Sequence, residues 1–282
     1  MAFDSDEDLA LWGVRIPRER LDDTQYRYLA KLEGKPLPSQ EWLWQEMDKV
    51  WDSLGMDNTR PLCEQPTHEF YSHPVWLLNG IYSLVDPESA KHRDSIARYI
   101  SRLGAHRIAD VGGGFGALAK QIRSRNPTAA VDIVDPYSKS DVQPAIDRVE
   151  FVPRLGRDYD CVIAQDVLEH VERPIQVSVD MTKAASFDGY LIFANHFYPS
   201  IKCHLPSTFY LRYTFNFVAR GLGLRIVGRV PGAEHAVVFK KVSRIRYPEL
   251  HVRHGVAKQL GPVINRSRQT ARRIFDSVLH GG

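Results

Sequence analysis

At 282 residues, with 43% hydrophobic and 25% charged residues, the chain can bury a sizeable core and has the composition of a soluble globular protein. A formal net charge of only +3 excludes a general affinity for nucleic acids and other polyanions. Three widely spaced cysteines, Cys63, Cys161 and Cys203, argue against a disulfide framework and against a metal cluster of the C-x-x-C type, which favours a reducing cytosol.

Residues 1–88 are predicted to form a helical cap. The chain starts with an acidic stretch where a signal peptide would be basic, and no later apolar run approaches the roughly 18 residues of a membrane span. Ser39 is typical of a helix N-cap and Gly55 of a helix end, and apolar residues recur between them at helical spacing. Asp86, followed by proline, indicates the start of another helix. The segment 68–76 is rich in aromatic and histidine residues and is placed to close over a cofactor pocket.

A glycine-rich turn lies within residues 107–120. An apolar run typical of a buried parallel strand precedes it and apolar residues at helical spacing follow it, so a strand, a turn and a helix are predicted in succession. Gly112, Gly114 and Gly116 stand where the backbone passes close to a ligand or takes positive φ, because a Cβ would obstruct both. The turn therefore suits a nucleotide-like cofactor, although Gly112, Gly114 and Ala117 also satisfy the G-x-G-x-x-G/A dinucleotide fingerprint.

Two further strands are predicted to lead into acidic or polar residues. Residues 129–135 read as a strand that ends at Asp135, and a carboxylate about 20 residues after the glycines is placed to accept hydrogen bonds from ribose hydroxyls. Residues 160–171 read as a buried strand that runs directly into a polar turn. The alternation then continues, which predicts an α/β fold. Later strands are predicted at residues 149–152, 190–194, 224–230 and 236–240, and separating helices at residues 118–125, 174–185 and 214–221.

This succession resembles the class I S-adenosylmethionine-dependent methyltransferases, and within them the small-molecule O-methyltransferase branch. The matching residues are Asp-Val-Gly-Gly-Gly-Phe-Gly at 110–116, Val-Asp-Pro at 134–136, and the strand with Leu-Glu-His at 158–171. The form of the glycine turn also resembles sugar O-methyltransferases of bacterial polysaccharide pathways. The resemblance implies a Rossmann-like seven-stranded sheet with helices on both faces and a final antiparallel hairpin, built from residues 89–243.

The resemblance also implies how S-adenosylmethionine would bind. The residues concerned are Asp110, Gly112, Gly114, Gly116, Asp135 and Gln165. The first four would hold the amino-acid end of the cofactor, the aspartate after the second strand its ribose hydroxyls, and the glutamine would lie beside the methionyl portion. The acceptor would be a small molecule or a glycan, methylated on oxygen, and not a nucleic acid. The family often places an acid after the third strand to meet the adenine amino group, but residues 153–156 read Pro-Arg-Leu-Gly.

Methyl transfer from a sulfonium requires donor and acceptor in line and the removal of one proton. Asp166, His170 and His196 are the predicted catalytic residues, with His170 or His196 as general base because imidazole titrates near neutrality. Asp166, Glu169 and His170 are spaced i, i+3, i+4, which would gather them on one side of a helical turn. They would alternatively hold a divalent cation such as Mg²⁺ or Mn²⁺, with His196 approaching it. The remaining alternative is that Glu169 and His170 only cap and orient the turn.

Residues 195–213 are unusually rich in aromatic residues and prolines for a solvated loop. They predict either a lid or acceptor-binding wall, or an apolar plug that covers the edge of the sheet.

Residues 244–282 are predicted to form a basic tail with an amphipathic helix that starts at Pro262. The helix would fold back on the domain or pair in a dimer, or it would lie on an anionic membrane surface as a peripheral contact. Its apolar face would carry Val263, Ile264, Ala271, Ile274, Phe275, Val278 and Leu279, and its other faces Arg266, Arg268, Arg272 and Arg273.

The sequence thus predicts a cytoplasmic methyltransferase that uses S-adenosylmethionine. Two other functions remain open at this level. A nicotinamide-dependent oxidoreductase would use the same glycine fingerprint, and a catalytically idle methyltransferase-like subunit would bind a partner instead of turning over a substrate.

Overall fold

The computed structural model describes residues 8–137 and 147–280, the side chains of 272–280 excepted. The helices are α1 (Asp23–Ala30), α2 (Gln40–Ser53), α3 (Glu64–Ser72), α4 (Pro74–Val85), α5 (Pro87–Arg102), α6 (Ala117–Arg125), α7 (Pro174–Ala184), α8 (Phe215–Ala219) and α9 (Tyr247–His280). The strands are β1 (Leu9–Leu11), β2 (Val14–Ile16), β3 (Arg107–Val111), β4 (Ala130–Val134), β5 (Val149–Phe151), β6 (Tyr159–Gln165), β7 (Ala185–Ala194), β8 (Leu224–Val230) and β9 (Ala233–Lys241).

A seven-stranded sheet with the order β5-β4-β3-β6-β7-β9-β8 forms the centre of the molecule. The first five strands in this order run parallel, whereas β9 pairs antiparallel with β7, and β8 antiparallel with β9. The predicted α/β fold, with its final antiparallel hairpin, is confirmed. β7 begins at Ala185 and not at residue 190, because its first half carries the exposed residues Phe187 and Asp188 and so lacks the pattern of a buried strand.

Apolar side chains cover both faces of this sheet. Successive residues of a strand point to opposite faces, so in β6 the side chains of Val162 and Ala164 pack in one cluster with α7, α8 and the start of α9. Those of Cys161 and Ile163 pack in another with α5 and α6. Burying each aliphatic side chain contributes roughly 1.5–3 kcal/mol relative to leaving it exposed, so these two layers hold the ends of the strands in place.

The N-terminal helices form a third cluster beside the sheet, centred on buried Trp51, Phe70 and Leu78. The predicted caps are confirmed, since Ser39 Oγ accepts from the Trp42 amide at 3.2 Å and Asp86 Oδ2 from the Ser89 amide at 2.8 Å. The β1–β2 hairpin and α3 were not predicted. α3 is short and lacks a side-chain hydrogen bond at its N-cap, so its sequence carries little start signal.

The C-terminal helix α9 begins at Tyr247 and carries Pro262 inside it, so the predicted start at Pro262 was wrong. The prediction rested on the amphipathic spacing of the residues from Pro262 onward, whereas here tertiary packing holds a longer helix through the proline. Leu250 and Ala257 are buried in the core, and a Cβ on Gly261 would lie 2.3 Å from the Tyr210 carbonyl oxygen. The side chains of Arg272, Arg273, Ile274, Phe275, Val278 and Leu279 lie outside the described residues.

Across residues 8–137 and 147–280, none of the helices combines the length and the apolar character that crossing a bilayer requires. The division of the chain at residues 88 and 243 stays a prediction.

Candidate active site

The predicted site residues lie at the carboxyl ends of the parallel strands of the sheet. β3 and β6 are neighbours, but β3 connects onward to β4 on its other side, so the strand order reverses between them. In an open α/β sheet, the crevice at the carboxyl ends of the strands at such a reversal is where ligands bind. The glycine turn follows β3, Asp135 follows β4, and Gln165 and Asp166 stand at the end of β6. His196 comes after β7, the strand next to β6, and so lies at the same end of the sheet.

The glycine turn is shaped by left-handed backbone that side chains rarely adopt. Gly112, Gly114 and Gly116 have φ values of 68°, 53° and 79°. A Cβ on Gly112 would lie 2.4 Å from Val167 Cγ2, and one on Gly116 would lie 2.8 Å from Ile133 Cδ1, so both positions exclude larger residues. A Cβ on Gly114 would meet no atom within 4 Å. The turn is therefore packed on two sides and open at its tip.

Asp110, the last residue but one of β3, is 2% exposed and its Oδ2 has no hydrogen-bond partner among the described residues. A Cβ on Gly113 would lie 2.6 Å from this oxygen, so the turn folds directly over the carboxyl. Burial, and secondarily the charge of Asp135, raise the pKa of Asp110 to about 7. A cation that reached this carboxyl would relieve both effects.

Asp135 is held in a fixed orientation. Its Oδ2 accepts from the Gly114 amide at 3.0 Å and its Oδ1 from the Tyr137 amide at 2.9 Å. Its position, tied to the tip of the glycine turn, fits the ribose role that the family resemblance implies.

Gln165 is the last residue of β6 and Asp166 follows it, at the centre of the row of strand carboxyl ends. Asp166 has a left-handed φ of 52°, its amide donates to the Ala194 carbonyl at 2.8 Å, and its residue is exposed to solvent. A non-glycine residue held in this conformation stores strain of about 1–3 kcal/mol, and such residues cluster at functional sites. Burial by the surrounding protein atoms raises the pKa of Asp166, and a hydrogen bond from the Gln165 side chain lowers it. Contact with solvent makes the upward shift smaller.

Behind Asp166, the 3₁₀ turn Leu168–His170 brings Glu169 and His170 beside His204. Among the described histidines, cysteines and acids, these three are the group in which potential ligand atoms all lie within 4.8 Å of one another. Asp166 and His196, which the sequence placed with Glu169 and His170, are not members of that group. Asp166 and Glu169 do not lie on one side of a helical turn, because the backbone of Asp166 is not helical. Asp166 still acts on Glu169 electrostatically, because burial first and the Asp166 charge second raise the Glu169 pKa.

His196 is half-buried, and its ring Nε2 lies 2.9 Å from Ser200 Oγ. Its backbone amide donates to Glu169 Oε1 at 2.8 Å, so the end of β7 is tied to the turn after β6. Burial, and secondarily the charge of Arg212, lower the pKa of His196. The segment 195–213 carries buried side chains, among them Phe197, Cys203 and Leu205. Both His196 and His204 belong to this segment.

An aromatic wall from the N-terminal helices stands over the site. Tyr71 stacks on Tyr137, with ring centroids 5.0 Å apart and an interplanar angle of 23°. Trp76 packs against Tyr71 and edge-on to His170, with centroids 5.0 and 5.9 Å apart. The sequence indicated this closure only through the aromatic character of residues 68–76. It assigned no role to Tyr71, Trp76, Tyr137 or His204, because contacts between residues so far apart in the chain leave no local pattern.

Comparison with known proteins supports the fold. No protein-family model matches the sequence, and no curated protein matches it significantly. The structure of TnmH is similar to this chain at a TM-score of 0.51 with 17% identity, over 74% of this chain and 75% of that one. Human N-acetylserotonin methyltransferase in complex with SAM gives 0.49, with 14% identity over 71% and 67% of the two chains.

The mitomycin 7-O-methyltransferase MmcR gives a TM-score of 0.47, with 14% identity over 73% and 69% of the two chains. The likeness to TnmH, at a TM-score of 0.51 and 17% identity, shows the fold alone, and the strand order and the antiparallel hairpin show the same fold. The chain therefore has the Rossmann-like, seven-stranded fold of the class I methyltransferases.

Proposed function

We propose that this chain is an S-adenosylmethionine-dependent methyltransferase that acts on a hydroxyl of a small molecule or glycan. One observation carries the proposal: the open glycine turn, the buried Asp110 and the Asp135 carboxylate converge at the reversal point of a methyltransferase-type sheet. This is the crevice in which an open α/β sheet binds a nucleoside.

The residues present fit such a cofactor. The Oδ2 of Asp110, which has no hydrogen-bond partner among the described residues, suits the ammonium of the methionyl portion. Asp135 lies at the tip of the glycine turn, where a carboxylate would meet the ribose hydroxyls. When bound, S-adenosylmethionine supplies an electrophilic methyl group on a sulfonium. The stacked Tyr71 and Tyr137, together with Trp76, cover the crevice and exclude water from it.

The chain must also orient the acceptor and take one proton from it. Asp166 is exposed at the end of β6, and His196 lies half-buried at the end of the neighbouring strand, so both stand where an acceptor would meet the methyl group. His170 lies deeper, behind Asp166. We assign His196 as proton acceptor and Asp166 as an orienting group. Burial, and secondarily the charge of His204, lower the pKa of His170 to about 3, which disfavours the base role that the sequence predicted for it. Alanine at a proton acceptor should lower kcat and leave cofactor affinity intact.

The strand order favours this function over nicotinamide-dependent oxidation. At one side of the sheet, β8 and β9 form the antiparallel hairpin that the methyltransferase resemblance implies, and β9 joins this hairpin to β7. Three free cysteines, two of them buried, support a reducing cytoplasm as the place where the protein works.

The first experiment measures cofactor binding. Thermal-shift and calorimetric titration with S-adenosylmethionine, its demethylated product, NAD⁺ and NADH should show stabilisation by the first two alone. Incubation with S-adenosylmethionine carrying a labelled methyl group and a cell extract should then label a small molecule or glycan. Binding of NAD(H) with no binding of the sulfonium would contradict the proposal. Binding without transfer to any extract would identify a catalytically idle member.

A matched pair of variants locates the binding site. Gly114→Ala and Gly34→Ala both place a Cβ at positive φ with no atom within 4 Å, so each should cost about 1–2 kcal/mol of stability. Only Gly114 borders the proposed crevice. We therefore expect Gly114→Ala alone to weaken S-adenosylmethionine binding, measured by calorimetry, and equal affinities in the two variants would place the cofactor elsewhere.

A further inference from the structure

We propose that Glu169, His170 and His204 bind one divalent transition-metal ion at the acceptor side of the crevice. The three side chains come from the 3₁₀ turn after β6 and from the segment that follows β7. Their potential ligand atoms lie within 4.8 Å of one another. Bonds of about 2.0–2.2 Å to zinc would place the ligand atoms roughly 3–4 Å apart, so small side-chain rotations complete the site.

The hydrogen bonds of the two imidazoles prepare them for this role. His170 Nδ1 lies 3.2 Å from the Cys203 carbonyl oxygen, and His204 Nδ1 lies 2.7 Å from the Tyr198 carbonyl oxygen. A carbonyl only accepts, so each Nδ1 carries the proton and each Nε2 keeps its lone pair. A metal-bound histidine typically donates its other N–H to a backbone carbonyl or carboxylate in this way, which fixes its tautomer and ring orientation.

Glu169 provides an independent observation. The residue is 0% exposed, its Oε1 accepts from the His196 amide at 2.8 Å, and its buried Oε2 has no hydrogen-bond partner within residues 8–137 and 147–280. An unpaired buried carboxylate oxygen costs free energy, and no cationic side chain forms an ion pair with Glu169 in the described part of the chain. A metal cation bound by this oxygen and the two imidazoles supplies the missing partner.

The donor set selects the class of ion. Magnesium and calcium prefer all-oxygen shells, whereas two imidazoles and one carboxylate suit zinc, cobalt, iron and manganese. Three protein ligands leave at least one coordination position open. Because the 3₁₀ turn that carries Glu169 and His170 follows Asp166 directly in the chain, we place that position toward the crevice. If the proposed methyl transfer occurs, the ion would hold the acceptor oxygen, but the binding of the ion does not depend on that function.

Equilibrium binding on the untagged full-length protein tests the site without any cofactor. The metal-free protein is titrated with Co²⁺, followed by visible absorption, and with Zn²⁺, Mn²⁺ and Mg²⁺ by calorimetry. The site variants are Glu169→Gln, which keeps the Oε1 acceptor, and His204→Gln. The control is the double variant His92→Ala/His235→Ala, because this second histidine pair, with ring centroids 4.7 Å apart, is the strongest rival site. Circular dichroism confirms that each variant is folded.

We expect one Co²⁺ or Zn²⁺ per chain, Mg²⁺ binding weaker by at least ten-fold, and a loss of about ten-fold or more in affinity in each site variant. The His92/His235 control should bind like the wild type. The proposal is overturned if the wild type binds no stoichiometric ion, if the site variants bind as tightly as the wild type, or if only the control loses binding. If a site variant does not fold, the absence of a stoichiometric ion in the wild type, or loss of binding in the His92/His235 control, still overturns the proposal.

Discussion

At the scale of single residues, the candidate site is defined by groups that the surrounding protein leaves unsatisfied. Within residues 8–137 and 147–280, Asp110 Oδ2 and Glu169 Oε2 are buried carboxylate oxygens without hydrogen-bond partners, and Asp166 holds a strained left-handed backbone. Each feature costs stability, and a ligand would compensate for each. The sequence indicated Asp110 and Asp166 through their neighbours in the chain. It could not indicate that Glu169 would face His204, because only the fold brings these residues together.

The buried Asp110 carboxyl gives the first prediction, the pH dependence of stability. Its folded pKa of about 7 lies above the ordinary value of 3.8, so between these values the native state binds more protons than the unfolded state. Stability contributed by the protonated form is therefore present below about pH 4 and is lost as the pH rises through about 7. At pH 8 the ionised Asp110 costs the ligand-free protein a few kcal/mol, about 4 at most.

Asp110→Asn removes this titration at nearly constant volume. Relative to the wild type, the variant should therefore gain stability steadily from pH 5 to pH 8, as measured by urea unfolding of the ligand-free protein. Asp132→Asn, another aspartate of the sheet, serves as a comparison at each pH. A stability difference between Asp110→Asn and wild type that does not change with pH would show that Asp110 is ionised throughout.

At the scale of elements, the sequence predicted well wherever a local signal marks a boundary. Ser39 and Asp86 cap the predicted helices, and Gly112, Gly114 and Gly116 form the predicted turn with the predicted positive φ. Where packing sets the boundary, the prediction failed. α9 continues through Pro262 because its first half lies against the core, a contact that no local pattern in residues 244–261 reveals.

Two glycines of α9 give a matched test of that packing. A Cβ on Gly261 would lie 2.3 Å from the Tyr210 carbonyl oxygen, whereas one on Gly255 would meet no atom within 4 Å. Gly255→Ala should stabilise the protein by up to about 1 kcal/mol, because alanine favours helix more than glycine. Gly261→Ala should destabilise it, because the helix must move away from Tyr210. Chemical denaturation measures both, and equal effects would show that α9 does not rest on this segment.

At the scale of the whole molecule, the N-terminal cap and the sheet meet around the crevice. Phe115 of the glycine turn packs so closely on Gly80 of α4 that a Cβ there would lie 2.5 Å from its ring. Lys202 ties the segment after β7 to the cap, because its amide donates to Asp48 at 2.8 Å. The overall sheet followed from the alternation of strands and helices in the sequence. The way the cap closes over it did not, because it rests on contacts between residues far apart in the chain, such as Asp48 and Lys202.

The exposed outer face of α9 bears on the hypothesis that this helix lies on a membrane surface. Val252, Leu260 and Val263 are 64%, 52% and 52% exposed, while Leu250 and Ala257 on the opposite face are buried in the core. Arg266 adds positive charge near this apolar face, which is the pattern of a helix that rests on an anionic membrane surface, whereas Arg268 stacks over Tyr213 of the domain. The folded half of α9 would then remain on the domain, and membrane binding would depend on the part beyond residue 261.

The membrane hypothesis predicts that the full chain sediments with vesicles containing anionic lipid, and much less with neutral vesicles. Deleting residues 262–282 should abolish the difference, and raising the salt concentration should weaken it, because roughly 1 kcal/mol per basic residue near the surface is electrostatic. Leu250 and Ala257 stay in the shortened chain, so its core and its cofactor affinity should be preserved. Equal sedimentation of the two forms would leave packing on the domain, or pairing with a second copy, as the role of this helix.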